Sequence, residues 1–363
     1  MDNTKNVKIN TIKQIYNHLG DEISRSIFGN RLLYTFTNDL EYLRKVIYTT
    51  DEGLEIKKLI DANKKIVLFG AGAWGKAIAH VFGEFVQCFI DNFPSKQKSE
   101  LCMNIPVISF SEYIKRQKRQ DKIVITTRLY QEEVYRQLLA SGIKEENIIN
   151  AGMMLTNLME KQYFDLPVFQ NHKMEEGETF VDGGSLNGNT SINFIEWCDG
   201  KYDKIWIFEP DESSRAVCEN TLYNNGCNKF EIIPKALWSK EAILDFNLRP
   251  GGASAVIDST QQYNNGGCVG MGGGVSVEAV NLDAVINEKV TFIKMDIEGA
   301  EYNALMGSKR TITRYKPKLA ISVYHKLEDI LVIPELICQI NPDYTLYLRH
   351  YSLANGETVL YAI

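Results

Sequence analysis

The chain has 363 residues and seven cysteines, none of which forms a C-x-x-C pair. That absence removes the two arrangements in which cysteine usually organises a fold, a zinc site and a disulfide framework. The thiols are expected to be reduced, as in the cytoplasm. No stretch reaches the ~18 uninterrupted apolar residues of a membrane span, and the opening MDNTKNVKINTIKQIYNHLG has no apolar core of a secretory leader. A cytoplasmic location with no membrane span is the expectation. Positive charge is not in excess either: 40 Lys and Arg against 46 Asp and Glu leave a net charge of -6, which argues against a nucleic-acid partner. No tandem repeat is apparent. What remains is ordinary globular composition, 44% hydrophobic and 24% charged, on a chain long enough for two domains of ~150 residues.

The hydrophobic spacing divides that length. From about 11 to 61 apolar residues recur at helical intervals, among them Ile12, Ile15, Leu19, Leu43, Ile47 and Leu59, so 1–61 reads as a helical lead-in. Residues 62–150 alternate short β-rich runs (IVLF, VQCFID, IPVIS, KIVITT) with helices and read as a doubly wound α/β domain. No period is sustained through 151–177, taken as a connector. A second α/β pattern fills 178–363 and closes on YTLYLRHY and ETVLYAI, which SLANG joins into an antiparallel hairpin.

Each α/β segment opens with a glycine-rich turn. In IVLFGAGAWGKAIAH, Gly70, Gly72 and Gly75 suit a tight turn and a helix N-terminus that favours an anion, and Asp91 stands 21 positions after Gly70 to meet ribose hydroxyls. A lone G-x-G-x-x-G also fits a turn that only packs helix on strand, and that reading stands beside a ligand site. No hydride-transfer group follows. GAGAWGKAIAH, FIDNFPSKQ, IPVISFSEY and KIVITT resemble the Rossmann-like accessory domain of nucleotide-sugar C-methyltransferases. The resemblance implies substrate holding rather than redox chemistry.

The second turn, TFVDGGSLNGNTS, follows a strand and opens a helix with an N-cap at Asn189 or Thr190. Glu209, at the end of KIWIFEPD, stands 21 positions after Gly188 and is placed for a ribose. Asp182 in the turn would repel a pyrophosphate, but it suits the ammonium and sulfonium charges of S-adenosylmethionine. Gly184, Ser185, Asn187 and Gly188 complete this candidate cofactor loop, KALWS brings Ala236 and Leu237 to the adenine, and Asp296 is a further candidate cofactor contact.

VTFIKMDIEGAEYNAL is the most specific segment. Glu301 has a plain explanation as an acid at a helix N-terminus, whereas Asp296 and Glu298 at the end of a buried-looking strand do not. FVDGGSLNGNTS, FEPD, KALWS, FIKMDIEGAE, PKLAISVYHKLEDILVIPELI and YTLYLRHYSLANGETVLYAI together resemble the FkbM family of methyltransferases over about 178–363. Members usually carry Ala-Asn after the second glycine of the loop, where Ser185-Leu186 stand here.

The resemblance implies a class I methyltransferase fold, S-adenosylmethionine as cofactor, and a hydroxyl of a sugar, glycan or natural product as acceptor. Such a hydroxyl must lose its proton as it attacks, which makes Asp296, Glu298 and His325 the candidate catalytic groups. The same three could hold a divalent metal, since carboxylates suit magnesium or manganese. Eight glycines between 251 and 274 suggest a mobile lid over the acceptor, and His350 is a further candidate for the pocket wall. The partner expected is a small-molecule or saccharide acceptor, and assembly into a homo-oligomer is left open. Two other readings stand beside this one: an NAD-dependent sugar-nucleotide enzyme using Gly70 to Gly75, and a non-catalytic ligand-binding scaffold.

Overall fold

The computed structural model describes residues 9–63, 65–97, 101–116, 121–173, 176–247, 255–256 and 275–363. The glycine-rich stretch expected to form a lid lies almost entirely outside the described residues. The architecture is mixed α/β with parallel sheets, in two compact units: 26–162 with 350–357, and 1–25 with 163–349 and 358–363. The helical lead-in consists of helices Ile9–His18, Glu22–Thr37, Leu40–Ile47 and Asp51–Asn63.

In the unit that contains 26–162, the strands are β1 (Ile66–Phe69), β2 (Val86–Ile90), β3 (Leu101–Cys102), β4 (Ile105–Ile108), β5 (Ile123–Ile125) and β6 (Ile148–Asn150). They form one sheet in the order β3-β4-β2-β1-β5-β6, in which only β3 with β4 is antiparallel. Val67, Phe69, Ile90, Ile123, Ile125 and Leu138 build its core. The segment after β6, in which no period is sustained, forms helix Ala151–Lys161, capped by the Asn150 side chain on the Met153 N–H. Its buried face carries Ala151, Gly152, Leu155 and Leu158, with small residues in two of the four places, which blurs the apolar stripe.

The other unit carries β7 (Glu178–Gly183), β8 (Tyr202–Phe208), β9 (Phe230–Ile233), β10 (Ala236–Leu237), β11 (Ala242–Asn247), β12 (Ala255–Val256), β13 (Val275–Val280), β14 (Phe292–Met295), β15 (Lys318–Ser322), β16 (Leu346–His350) and β17 (Thr358–Ala362). The main sheet runs β16-β17-β15-β14-β7-β8-β9, and β10-β13-β11-β12 form a smaller one. In the main sheet β9, β8, β7, β14 and β15 are parallel, and β17 is antiparallel to β15. Every residue of β7, β14 and β15 is buried, as befits parallel strands covered on both faces. Phe180, Phe194 and Phe292 stack or meet edge-on beneath them. From β7 the chain winds outward through β8 and β9 and then returns to β14 on the other side. That reversal opens a crevice at the C-terminal ends of β7 and β14, where open α/β sheets bind ligands.

Candidate active site

The turn after β7 is shaped by sterics. Gly184 has φ of +76°, and a Cβ there would lie 2.0 Å from the Asp296 carbonyl oxygen, so only glycine lets the turn press against the end of β14. Gly188, also left-handed at φ +82°, is the N-cap of helix Asn189–Trp197 and has no side-chain cap of its own. The helix therefore starts one residue earlier than an Asn189 cap requires and two earlier than a Thr190 cap. The Asn187 carboxamide oxygen instead accepts from the Asn189 N–H at 3.1 Å. Ser185 is buried beside Cys218, with Oγ and Sγ 3.4 Å apart.

Asp182 departs from the expectation of a charge facing the ligand. It is fully buried, with one oxygen 3.0 Å from Lys294 Nζ and the other accepting from Ser191 Oγ at 2.8 Å. Register explains the pair, since Asp182 and Lys294 lie opposite each other on β7 and β14. Lys294 Nζ also donates to the carbonyls of Gly183 and Gly184 at 3.1 and 2.8 Å. The Asp182 charge is thus met inside the protein and fixes the turn.

Glu209, at the end of β8, is nearly buried. Its oxygens accept from the backbone N–H of Leu186 at 3.2 Å and of Asp211 at 3.0 Å. Burial pushes its carboxyl above the ordinary value, against the pull of those two N–H groups. Two of its roughly four lone-pair sites are used, which leaves capacity for a ligand's hydroxyls. Ala236 and Leu237 are buried on β10, and Leu237 Cδ1 reaches to 3.0 Å of where a Gly183 Cβ would stand. Beside Glu209 a cavity of about 800 Å³ is lined by Pro210, Asp211, Arg215, Pro234, Lys235 and Glu278, among others.

Across the crevice, the ends of β14 and β15 bring Asp296 and His325 together. His325 Nε2 lies 3.5 Å from Asp296 Oδ1 and 3.5 Å from Glu298 Oε2, and Nδ1 lies 3.0 Å from Glu301 Oε1. Burial alone would lower the imidazole pKa, but the charges of Glu301, Asp296 and Glu298 outweigh it and raise it to about 10. In this state the ring carries a proton at neutral pH and does not act as a base. Burial opposes the Asp296 charge, yet His325, Lys294 and the Tyr163 hydroxyl hold its carboxyl below the ordinary value.

Two tyrosines passed over in the sequence complete this cluster. Tyr163 donates to Asp296 Oδ2 at 2.8 Å and Tyr324 to Oδ1 at 3.2 Å. Tyr163 sits in the segment taken as a connector, with φ of +75°, and Tyr324 directly precedes His325. Glu301 is more than a helix-terminal acid: it is 1% exposed, and its Oε1 accepts from the Ile297 N–H at 2.9 Å. The three groups whose donor atoms all lie within 4.8 Å of one another are Asp296, Glu301 and His325. Among the described residues that group contains Glu301 and not Glu298. Glu298, with φ of +55° and a side chain one-third exposed, stands nearer solvent.

The first glycine turn has a matching construction. Gly70 has φ of +119°, and a Cβ on Gly75 would lie 1.8 Å from the Gly70 carbonyl oxygen. Asp91 accepts from the Ala71 N–H at 2.8 Å and the Phe93 N–H at 2.9 Å. The Thr126 hydroxyl, at the end of β5, shares its one proton between the carbonyl oxygens of Phe69 and Gly70, at 3.0 and 2.8 Å. Gly72 caps helix Ala73–Phe82, with open space where its side chain would be. His350 is buried in the same unit, and burial holds its imidazole well below the ordinary value.

Residues 182–345 match the family described as the methyltransferase FkbM domain. None of the curated proteins compared matches the chain. Among solved structures it is similar to the methyltransferase FkbM from Methylobacillus flagellatus KT at 21% identity, covering 85% of this chain and 93% of that one, with a TM-score of 0.47. A SAM-dependent methyltransferase from Aquifex aeolicus is 13% identical over 59% of this chain and 98% of its own, with a TM-score of 0.33. Aeropyrum pernix fibrillarin with natively bound S-adenosyl-L-methionine is 10% identical over 57% and 72%, with a TM-score of 0.34. No described helix is long and apolar enough to cross a membrane.

Proposed function

We propose that residues 178–363 form a class I, doubly wound methyltransferase that moves a methyl group from S-adenosylmethionine to a hydroxyl of a sugar, glycan or natural product. One observation carries this reading. A glycine turn with a nearly buried carboxylate, Glu209, faces a cluster of titratable groups across the crevice where the strand order reverses, and the methyltransferase FkbM match spans both.

In this reading Glu209 takes the two ribose hydroxyls with its remaining lone pairs. Ala236 and Leu237 line the adenine side. Gly184, Ser185, Asn187 and Gly188 shape the backbone that receives the amino-acid end, while Asp182 acts through Lys294 to hold that turn. The cofactor supplies an electrophilic methyl on a sulfonium. The acceptor oxygen bonds to that carbon, and the carbon–sulfur bond breaks with its electron pair left on sulfur. Glu298, the more exposed carboxylate, receives the hydroxyl proton, and Asp296 and His325 flank the oxygen. Holding the three atoms in line provides much of the acceleration. Asp296 and His325 are also donors a divalent cation would take.

The 62–150 segment is read as a Rossmann-like accessory domain in which Gly70, Gly72, Gly75 and Asp91 serve substrate placement or architecture, with one Asp91 oxygen on the turn and the other on its own loop. The protein works in the cytoplasm. Binding of isotope-labelled S-adenosylmethionine to the purified chain tests the reading: saturable binding is expected, weakened at least ~10-fold by Glu209→Ala. Absence of binding would overturn it. Nicotinamide dinucleotide binding lost on Asp91→Ala would favour the redox alternative instead, and turnover of any acceptor would exclude a scaffold.

A further inference from the structure

The ends of β14 and β15 gather several carboxyls about one imidazole. Asp296, Glu298 and Glu301 surround His325, and Asp329, 2% exposed on the following helix, adds a fourth carboxyl that feels the Glu301 charge. The nearby cations are few. Lys294 is committed to Asp182 and two carbonyls, and Lys326 packs its chain near Gly299. Two buried groups have unmet polar capacity. Glu301 is 1% exposed, and its Oε2 has no hydrogen-bond partner among the described residues. His325 is 9% exposed, and its Nε2 makes no hydrogen bond, standing 3.5 Å from the oxygens of Asp296 and Glu298.

We infer that Asp296, Glu301 and His325 bind one divalent cation of the manganese type, which would take the place of the imidazole proton, released to solvent, and would coordinate the acceptor hydroxyl. Their donor atoms lie within 4.8 Å of one another. With bonds near 2.1 Å, donors around one cation stand about 3.0 Å apart at right angles and about 4.2 Å apart across it, so the trio closes on an ion with small side-chain rotations. Two carboxylates with a single imidazole and no thiolate are a donor set of the kind manganese takes. Tyr163 and Tyr324 hold Asp296 in place by donating to its two oxygens, leaving lone pairs for the metal. A hydroxyl bound to such a cation loses its proton more readily, which places Glu298 as the group that takes it. The role in catalysis rests on the methyltransferase reading; the cation site itself does not.

The experiment uses the full chain, stripped with chelator and dialysed, and follows the free Mn²⁺ resonance by electron paramagnetic resonance while manganese chloride is added. One ion per chain is expected, with affinity reduced at least ~10-fold in Glu301→Gln and in His325→Gln. Glu209→Gln is expected to bind manganese as the parent does while losing affinity for labelled S-adenosylmethionine. Asp296→Asn, whose side chain is one-quarter exposed, provides a second ligand variant should a buried change prevent folding, as judged by thermal melting. No saturable uptake at millimolar ion, or unchanged affinity in the folded ligand variants, overturns the inference. Manganese binding without cofactor binding would instead remove the methyltransferase reading and leave the cation site standing.

Discussion

The two glycine turns are built to one plan and differ in what stands beyond them. In both, a left-handed glycine follows the first strand, Gly70 or Gly184, and an acid ends the second strand, Asp91 or Glu209. Each acid accepts one N–H from the turn and one from its own loop. A polar side chain from the neighbouring strand then holds the turn's carbonyls: a hydroxyl from Thr126 in one case, the Lys294 ammonium in the other. Past that point they diverge. β14 and β15 lead into Asp296, Glu298, Glu301 and His325, whereas β5 leads into Thr126 and Thr127. A glycine fingerprint therefore reports a backbone solution, and the chemistry must be sought at the end of the strand beside it.

The largest break in this comparison is expected at that strand end. Glu298→Gln, which removes the group that takes the hydroxyl proton, should lower methyl transfer by ~10²–10⁴-fold, with labelled cofactor still bound, while Thr126→Val leaves turnover per folded molecule unchanged. Next comes the stitch itself. Lys294→Met would strand the buried Asp182 charge and cost about 3–5 kcal/mol, against ~1–2 kcal/mol for Thr126→Val, which removes one neutral donor; urea unfolding of each variant measures both.

The glycines sharpen the contrast further. Gly184→Ala should cost about 1–3 kcal/mol from the left-handed backbone alone, before its clash with the Asp296 carbonyl. Gly72→Ala, with open space and an ordinary φ, should be neutral or stabilising by less than ~1 kcal/mol. A separate contrast is one of pH. His350 is neutral in the fold and titrates near 6.5 when unfolded, so its contribution is whole above that pH and is lost as pH falls, by up to ~1.4 kcal/mol per unit. His350→Asn should flatten the stability profile below pH 6.5 in thermal melts; an unchanged profile would show that another group sets it.

How much of this could be read in the sequence depended on how local the cause was. Gly184 and Gly188 were visible because a left-handed backbone is a single-residue demand, and Glu209 because a parallel strand and a helix fix its spacing. Lys294 was passed over as one residue of an apolar strand, and its partner Asp182 lies 112 positions away. A lysine inside FIKM was nevertheless a signal, because a buried ammonium requires a partner. Asp182, conversely, looked like a ligand group for want of that pairing. Glu301 was assigned to the helix dipole, a sufficient local cause that hid a long-range one in His325. Tyr163 gave no signal at all: it entered the site from a segment without periodicity.

The pairing of Asp182 with Lys294 also bears on how this protein can diverge. The ammonium that neutralises the one also fastens the Gly183 and Gly184 carbonyls, and it sits two residues before Asp296. Neither position can drift alone without leaving a solitary charge in the interior. Descendants of this chain are expected to exchange the two residues jointly, so acid at one position and base at the other should be inherited as a unit even where the surrounding strands have been rewritten.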